Sequence, residues 1–483
     1  MQWSDLVFLL PEIVLFAGAS LLLLAPFVGF RREGRDAKWM TLGVLVGTAV
    51  ALTLTALSTA VPSASLDAMF VSDGFASFFK ILLLVIIGIV VLLSSDFLAE
   101  GKYSPWEYYS LMLFALAGMF FMASGIHLIS IWIGLELMSL SSYILTGYYK
   151  AEKKSTEAAM KYFILGAMSS AILLYGVSLI YGVTGSLGLS DIRHALAAGA
   201  GQVVMAGVML LGAGLCFKVA AVPFHAWTPD VYEGAPTPIS AFLSTASKAA
   251  AFAMFARIFY EALPDIHVNW SLVIAIISAM TMIVGNVAAM IQDNVKRMLA
   301  YSSIGHAGYA LLGILAMSEI GLYSVLIYMV AYAFANLGAW ATVMVLQRHE
   351  YAGESVADFE GLHQRAPFYA FSMVIFLLSL GGIPPLAGFL GKYFLFAAAI
   401  QAGYAWLAVI AVLMSAVSIY YYFRIVVAMY LKEGKPAEVV ITRSLRFAVA
   451  FCLVATIVLG IAAEPLIGGV RHSLQTIVVT FLR

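Results

Sequence analysis

The chain has 483 residues, of which 63% are hydrophobic and only 11% are charged, and its formal net charge is zero. Ordinary soluble domains are about a quarter charged, so this composition excludes a water-soluble protein and indicates one whose solvent is largely lipid. The neutral charge balance argues against nucleic acid as a partner.

Apolar runs long enough to cross a bilayer, about 20 residues each, follow one another along the chain. We predict fourteen of them, near 6–30, 40–60, 75–97, 108–124, 126–148, 160–182, 202–226, 236–261, 268–290, 298–316, 319–345, 367–400, 404–430 and 447–470. The first is too long for a signal-peptide core, and residues 1–5 lack that signal's basic region, so we expect it to be retained. Only short loops remain, which predicts a single all-α polytopic integral membrane domain over residues 1–483.

Basic residues in the loops predict the orientation of the chain. If the N-terminus lies outside, the inside loops hold 17 basic residues and the outside holds 4. The inside residues are Arg31, Arg32, Arg35, Lys38, Lys102, Lys150, Lys153, Lys154, Lys161, Lys296, Arg297, Arg348, Arg365, Lys432, Lys435, Arg443 and Arg446, and the outside ones are Arg193, Arg257, Arg471 and Arg483. We therefore predict that both termini face outward.

Two of the predicted spans, the seventh and the twelfth, contain helix-breaking residues. The twelfth run, 367–400, would measure roughly 51 Å as a straight helix against a hydrocarbon core of about 30 Å, and it contains the sequence GGIPP at 381–385. Pro223 interrupts the seventh run close to Lys218 and His225. Broken helices five spans apart suggest an internal repeat whose breaks mark an ion path. A simple proline kink is the alternative, above all at Pro223.

Four ionisable side chains lie deep in the predicted spans. Glu136 and Lys248 fall near the middle of spans five and eight, Lys218 lies five residues before Pro223, and Lys392 follows the second break. Each charge costs about 2.5–3.5 kcal/mol at the bilayer centre, so we expect all four to face a hydrated interior and to pair. Desolvation disfavours the charged form of a lysine and a nearby carboxylate favours it, so a movable acidic partner can switch a lysine between holding and releasing a proton. A static ion pair that fixes helix packing is the alternative.

Other polar residues give weaker signals. His225 and His306 are interpreted as proton relays or as hydrogen-bonded packing residues. Asp230 and Glu233, in the short loop after span seven, either gate proton entry or are solvated loop acids.

Charges near the ends of spans, and the aromatic residues, receive a structural interpretation. We expect Glu12 and Lys80 to lie near the interface, where snorkelling satisfies them. Stripes of Met, Phe and Tyr are interpreted as packing. The only two cysteines, Cys216 and Cys452, form no CxxC pair, and no GxGxxG fingerprint is present, so we expect no metal or cofactor site in this chain.

Three long motifs identify a resemblance that extends over essentially the whole chain. The segment CFKVAAVPFHAWTPDVYEGAPTP at 216–238 resembles the signature of the antiporter-like subunits of respiratory complex I, or NADH–quinone oxidoreductase. Its WTPDVYEG portion is most similar to the subunit N family. The segments RMLAYSSIGHAGY at 297–309 and GIPPLAGFLGKY at 382–393 fit the same family.

This resemblance implies about 14 transmembrane helices: three N-terminal ones (6–97), two inverted five-helix repeats (108–261 and 268–430) with discontinuous helices 7 and 12, and a last helix (447–470). It also implies a proton half-channel in each repeat. Glu136 would modulate Lys218, Lys248 would connect the halves, and Lys392 would be the terminal lysine. His306 would lie on the polar axis between them.

The resemblance further implies a proton-translocating membrane-arm subunit in a bacterial inner membrane, with sister antiporter-like and small membrane subunits as partners. NAD, FMN, iron–sulfur clusters and quinone are expected on partner subunits. Lysine at 392 favours N over the sister subunit M, where glutamate is usual. Since the sequence stops soon after the last predicted span, we expect none of the C-terminal amphipathic helix typical of subunit L.

Two other functions are compatible with these motifs. The D-type subunit of a multi-subunit sodium/proton antiporter is also similar and also has lysine after its second break, although the DVYEG stretch at 230–234 weighs against it. The chain could instead be a membrane scaffold whose buried charges only hold helices together.

Overall fold

The computed structural model describes residues 7–29, 34–58, 63–65, 69–99, 103–197, 199, 201–346, 353–433, 439 and 441–481. The helices are α1 (Leu10–Leu24), α2 (Gly34–Ser58), α3 (Gly74–Ala99), α4 (Pro105–Ser124), α5 (Leu128–Thr146), α6 (Lys153–Thr184), α7 (Leu189–Leu196), α8 (Gln202–Val219), α9 (Trp227–Gly234), α10 (Thr237–Phe242), α11 (Lys248–Ala262), α12 (His267–Met290), α13 (Val295–Leu315), α14 (Glu319–Met344), α15 (Leu362–Arg365), α16 (Pro367–Gly381), α17 (Ala387–Gln401), α18 (Ala405–Leu431), α19 (Arg443–Ile461) and α20 (Glu464–Phe481). Single 3-10 turns cover Ala25–Val28, Pro264–Ile266 and Val356–Phe359, and strands β1 (Ser63–Ser65) and β2 (Phe70–Ser72) form a small antiparallel hairpin.

The predicted fold class, an all-α polytopic membrane protein, is confirmed. Within the described residues, 13 helical stretches are long and apolar enough to span a bilayer. The two shorter apolar helices α16 and α17 lie end to end and supply the predicted broken twelfth span. Helix starts follow local chemistry: Pro105 stands at the first position of α4, and the Asn294 side chain accepts a hydrogen bond from the Arg297 amide at the start of α13.

The two interrupted helices end in the same way. At the end of α8, Ala220 takes a left-handed conformation (φ 62°) and the Ala221 amide donates back to the Cys216 carbonyl at 2.8 Å. At the end of α16, Gly382 is left-handed (φ 84°) and the Ile383 amide donates to the Leu378 carbonyl at 3.0 Å. These contacts satisfy carbonyls that a helix end leaves free, and an X–Pro bond follows each of them. The broken helices 7 and 12 were correctly predicted.

The broken helices occupy equivalent places in two sets of five spans. The first set comprises α4, α5, α6, the broken α8/α9, and α10–α11, and the second comprises α12, α13, α14, the broken α16/α17, and α18. In each set the fourth member is broken. Because five is odd, the second set enters the membrane from the opposite side, which makes the two repeats inverted.

Span eight is also irregular. Residues Leu243–Ser247, between α10 and α11, form a π-helical turn, and Lys248 follows directly after it. A π turn widens the helix by one residue and frequently marks a functional position. This irregularity has no counterpart in the sequence-based prediction, because no proline or glycine is present there.

The prediction for Glu12 and Lys80 was wrong. Both are buried, with side chains 2% and 6% exposed, and the Lys80 Nζ lies 2.6 Å from a Glu12 carboxylate oxygen. The Lys80 ammonium also lies 5.5 Å from the centre of the Phe120 ring. A charge that finds a countercharge inside the helix bundle does not need to reach water, so ion pairing between α1 and α3 replaces snorkelling.

Arg257, counted above as an outside basic residue, is instead fully buried at the end of α11. Its guanidinium binds both carboxylate oxygens of Asp73 at 2.9 Å, contacts Glu261 at 2.6 Å and donates from Nε to the Ala123 carbonyl at 3.0 Å. One side chain thus joins the start of α3, the end of α4 and α11. Other basic residues used for the orientation lie outside the described residues, namely Arg31, Arg32, Lys102, Arg348, Lys435 and Arg483.

The C-terminal end differs from the prediction. The fourteenth span was placed at 447–470, but α19 ends at Ile461 and a separate helix, α20, begins at Glu464. Pro465 cannot continue the preceding helix, since it lacks an amide hydrogen. Helix α20 packs against α3 and α14, so a further helix follows the last span where none was expected.

Candidate functional site

Lys218 lies at the end of α8, immediately before the first break, and is 4% exposed. Its Nζ donates to the Ser139 hydroxyl at 2.9 Å and to the Tyr162 hydroxyl at 3.3 Å. The Tyr162 ring stacks on Trp227, with centroids 4.5 Å apart. Because Trp227 begins α9, the second half of the broken helix supports Tyr162, a partner of the lysine.

Glu136 lies one helical turn before Ser139 on α5 and is half-buried. Its carboxylate accepts a hydrogen bond from Ser170, whose oxygen in turn accepts one from the Trp132 indole at 2.9 Å. In the part of the chain that the structure describes, no ion pair joins Glu136 to Lys218. Hydroxyl groups of Ser170 and Ser139 satisfy each partner separately, and the expected pairing of the two charges stays a prediction.

Lys248 is 2% exposed and its Nζ donates to the Ser303 carbonyl of α13 at 2.5 Å. The preceding residue, Ser247, contacts the sulfur of Met138 at 3.5 Å. Met138 adjoins Ser139, the partner of Lys218. The turn of α5 that holds Lys218 thus packs directly against the π turn that carries Lys248.

His306 lies one turn after Ser302 on α13 and connects to two tyrosines. Its Nδ1 is 2.6 Å from the Tyr328 hydroxyl and its Nε2 is 3.2 Å from the Tyr422 hydroxyl. The Tyr422 hydroxyl is also 2.5 Å from the Ser302 hydroxyl. Sequence reasoning missed both tyrosines, since aromatic residues in apolar helices were assigned to packing.

Lys392, on α17 after the second break, is 3% exposed. Its Nζ donates to the Ser415 hydroxyl at 2.8 Å and to the Gly381 carbonyl at 3.1 Å, so it satisfies a helix end at the break. The ammonium also lies 4.7 Å from the centre of the Tyr309 ring, which is itself 5.8 Å from the His306 ring. Lys392 therefore adjoins the His306 cluster.

His225 is the predicted relay that the structure leaves apart. It lies in the loop between α8 and α9 and is partly exposed. Its Nδ1 has no hydrogen-bond partner among the described residues. His306 lies within the row of buried groups, and His225 does not.

The hydroxyls of Ser303, Tyr232 and Tyr332 are buried near the Ser303 carbonyl that binds Lys248, and none of them makes a close hydrogen bond in the described part of the chain. Tyr232 and Tyr332 both face Ser303. Buried polar groups without a protein partner are ordinarily satisfied by water. The surroundings of Lys248 are thus suited to hydration.

Asp230 and Glu233 are neither isolated nor simply solvated. Asp230 contacts Lys161 at 2.7 Å and Arg297 at 2.8 Å, while Glu233 contacts Arg297 at 2.9 Å and Lys154 at 3.3 Å. The network therefore fixes α9 to α6 and α13.

We expect Asp230→Asn to leave proton translocation near its normal rate and to destabilise the protein by about 1 kcal/mol, as for partly exposed ion pairs. Thermal unfolding of the purified assembly and proton uptake by vesicles measure the two effects. Glu157→Gln, which removes a more exposed partner of Lys161, is the matched control. Loss of translocation in a fully assembled Asp230→Asn variant would instead make Asp230 a gate.

Comparisons with known proteins agree with this geometry. A family model described as "NADH:quinone oxidoreductase/Mrp antiporter, TM" matches residues 125–418. The NADH-quinone oxidoreductase subunit N of Trichlorobacter lovleyi is 44% identical over 438 residues, which is 90% of this chain and 89% of that protein.

Solved structures give the same result. A chain of respiratory complex I from Thermus thermophilus, determined with bound aureothin, is 34% identical, covers 95% of this chain and 98% of its own length, and superimposes with a TM-score of 0.81. A chain of the Mrp complex from a Dietzia species covers 100% of both chains with a TM-score of 0.86 at 21% identity, so it shares the fold.

Proposed function

The chain belongs to the NADH:quinone oxidoreductase/Mrp antiporter family of membrane subunits, and from this premise we propose that protons cross it along the row of buried groups between Glu136 and Lys392. It is a proton-pumping membrane-arm subunit of NADH–quinone oxidoreductase. The observation that carries the proposed route is the burial of Lys218, Lys248 and Lys392, each held by hydroxyls or carbonyls.

The first step concerns Glu136 and Lys218. A carboxylate near a lysine favours the protonated amine, and desolvation opposes it. Ser170 binds Glu136, and Ser139, one turn further along α5, binds Lys218, so the described residues place the two charges without a contact ion pair. A small shift of α5 against α8 would therefore change their interaction, and with it the affinity of Lys218 for its proton.

The second step passes the proton towards Lys248. The helix turn that holds Lys218 adjoins the π turn that carries Lys248. The buried hydroxyls of Ser303, Tyr232 and Tyr332 support a hydrated space there. Water within this space would supply the hydrogen-bonded link between the two lysines.

The third step reaches Lys392 through His306. The imidazole contacts two tyrosine hydroxyls, one of which also contacts Ser302, a neighbour of the Ser303 carbonyl that binds Lys248. Histidine can accept a proton at one nitrogen and release one from the other. We propose that Lys392, next to this cluster, releases the proton towards the outer side.

We assign NADH, flavin, iron–sulfur and quinone chemistry to partner subunits and give this chain the transfer of protons. Sister antiporter-like and small membrane-arm subunits are the proposed neighbours. We place both termini on the outer side of a bacterial inner membrane. The excess of basic residues in the inner loops supports this orientation even without Arg257.

Glu136→Gln tests the route. In vesicles containing the assembled complex, we expect NADH-driven proton uptake to fall about tenfold or more, since a proton-transfer group contributes on the order of 100-fold or more to a rate. Glu136→Asp keeps a carboxylate and is expected to retain part of the activity. Glu319→Gln, at an exposed position in the first turn of α14, is the control.

The vesicle measurements also distinguish the proposed proton route from a scaffold and from an antiporter subunit. Normal uptake by the Glu136→Gln complex would contradict the proposed route and favour a scaffold. A D-type antiporter subunit predicts a different result. Vesicles that carry the chain with antiporter partners would then exchange sodium for protons without NADH oxidation.

A further inference from the structure

We propose that a cavity between α8, α11 and α12 binds a segment of one acyl chain of a membrane phospholipid. The cavity has a volume of about 170 Å³ and is lined by apolar side chains that include Met209, Cys216, Phe259, Trp270 and Ile277. None of these residues belongs to the proposed proton route, so this binding site is separate from the function proposed above.

The lining determines the kind of guest. An apolar cavity of about 150 Å³ stays dry and accepts a guest the size of benzene, because water there would find no hydrogen-bond partners. The cavity described here is of similar size and has almost no polar wall. A hydrocarbon segment fits these properties, and a charged or strongly hydrated ligand does not.

The surroundings of the opening determine the source of the guest. Val273 belongs to the cavity wall and is 39% exposed, and its neighbours Val268, Leu272 and Ile276 on α12 are also exposed. All four lie in one membrane-spanning stretch, Pro264–Met290. The cavity therefore opens onto an exposed apolar face of a membrane-spanning helix, and in a bilayer acyl chains are the most abundant apolar molecules at such a face.

The helices around the cavity indicate the side of the membrane from which a guest would enter. Helices α8 and α12 begin on the same side of the membrane, and Arg193 and Asp265, in the segments before them, form an ion pair at 3.2 Å. The cavity is lined by the first half of α12 and the central part of α8. A chain that enters from that leaflet would run alongside both helices towards the membrane centre.

The guest would contact the first helix break. Cys216 lies two residues before Lys218, and Phe224 of the cavity wall lies in the loop that interrupts the helix. An acyl chain seated here would support this loop from the lipid side. The inferred ligand therefore stabilises the geometry around Lys218 without touching the lysine.

Gly212 offers a direct test. A Cβ added at Gly212 meets no atom within 4 Å, and Gly212 lines the cavity, so the side chain of Gly212→Leu would begin in open space and occupy the cavity. Gly182→Leu is the matched control, because a Cβ at Gly182 also meets no atom within 4 Å and this glycine lies on the exposed surface near the end of α6. Both variants add the same apolar side chain to a membrane-spanning helix.

The measurement uses the assembled complex reconstituted with phospholipids brominated on one acyl chain. Bromine quenches tryptophan fluorescence on contact. The emission of Trp270 is obtained by subtracting the fluorescence of the Trp270→Phe form of each protein from that of the form with Trp270. We expect this difference signal to be quenched in the wild type and in Gly182→Leu, and the quenching to be lost in Gly212→Leu.

Three results would overturn the proposal. Equal quenching in Gly212→Leu and the wild type would place the lipid outside the cavity. No quenching in the wild type would mean that the cavity is empty or covered by a partner subunit. If brominated phospholipid does not quench Trp270 but a brominated isoprenoid quinone does, the guest is a quinone tail.

Discussion

Replacing Lys218 with methionine is expected to lower NADH-driven proton translocation by about 100-fold, the lower end of what a positioned proton-transfer group contributes. Methionine keeps the length and the apolar body of lysine, so the packing between α8 and α9 is preserved. It removes the amine that joins Ser139 and Tyr162. The measurement is the initial rate of NADH-driven proton uptake by vesicles, normalised to the amount of assembled complex.

A second substitution separates the charge of Lys218 from its ability to exchange a proton. Arginine keeps a positive charge but does not release its proton in proteins, so Lys218→Arg is expected to be as inactive as Lys218→Met. Lys153→Met, at an exposed position at the start of α6, controls for the loss of a lysine. Normal pumping by Lys218→Arg would show that only a fixed charge is required, and normal pumping by Lys218→Met would support the scaffold.

Replacing Arg257 with methionine is expected to prevent stable assembly. The guanidinium is fully buried and contacts two carboxylates, Asp73 and Glu261. Within the described part of the chain, its removal leaves both without a countercharge, and breaking a buried ion pair by removing one partner costs about 3–5 kcal/mol. The amount of subunit in purified membranes and the thermal midpoint of the extracted complex report this loss.

The control for this prediction is Arg193→Met. Arg193 forms one ion pair, with Asp265, and both side chains are partly exposed, so we expect a cost of about 0–1 kcal/mol. The triple variant Arg257→Met/Asp73→Asn/Glu261→Gln removes the charges together and is expected to recover part of the lost stability. Assembly of Arg257→Met at the wild-type level would contradict the structural role assigned to this cluster.

The spans were predictable because the bilayer imposes a strong constraint on sequence. Any segment that crosses it must be apolar over about 20 residues, and this pattern is visible without an alignment. The GGIPP sequence at 381–385 and Pro223 located both breaks for a similarly simple reason, since proline cannot continue a helix. The π turn before Lys248 was not predicted, because it depends on packing between helices.

The candidate site was predictable in part. Glu136 and the three lysines are conspicuous because charges are rare in apolar runs. Their hydrogen-bond partners are not conspicuous, because tyrosines in apolar helices resemble packing residues. Three helices bring the hydroxyls of Tyr162, Tyr328 and Tyr422 to Lys218 or His306. The sequence did contain a signal for the serine partners. Ser139 and Ser302 lie one helical turn from Glu136 and His306, and helical spacing places each on the same face as its neighbour.

Predictions about partners were the least successful. Glu12, Lys80 and Arg257 were assigned to the interface or a loop from their positions near span ends, but each lies in a buried ion pair. Pairing depends on which helices are neighbours, and linear sequence does not give that order. The same reason explains why the hydroxyl groups that bind Glu136 and Lys218 were not predicted.

The position of the buried groups along their helices has a consequence for the electrical work of pumping. Glu136, Lys248 and His306 each lie near the middle of a span, and Lys218 and Lys392 each adjoin a break, so the row runs sideways within the membrane. A charge that crosses the whole membrane potential gains or loses about 2.3 kcal/mol per 100 mV, but lateral transfers cross little of that potential. If protons take the proposed route, a transmembrane voltage should therefore oppose their entry and exit and leave the proposed transfers among these groups nearly unaffected.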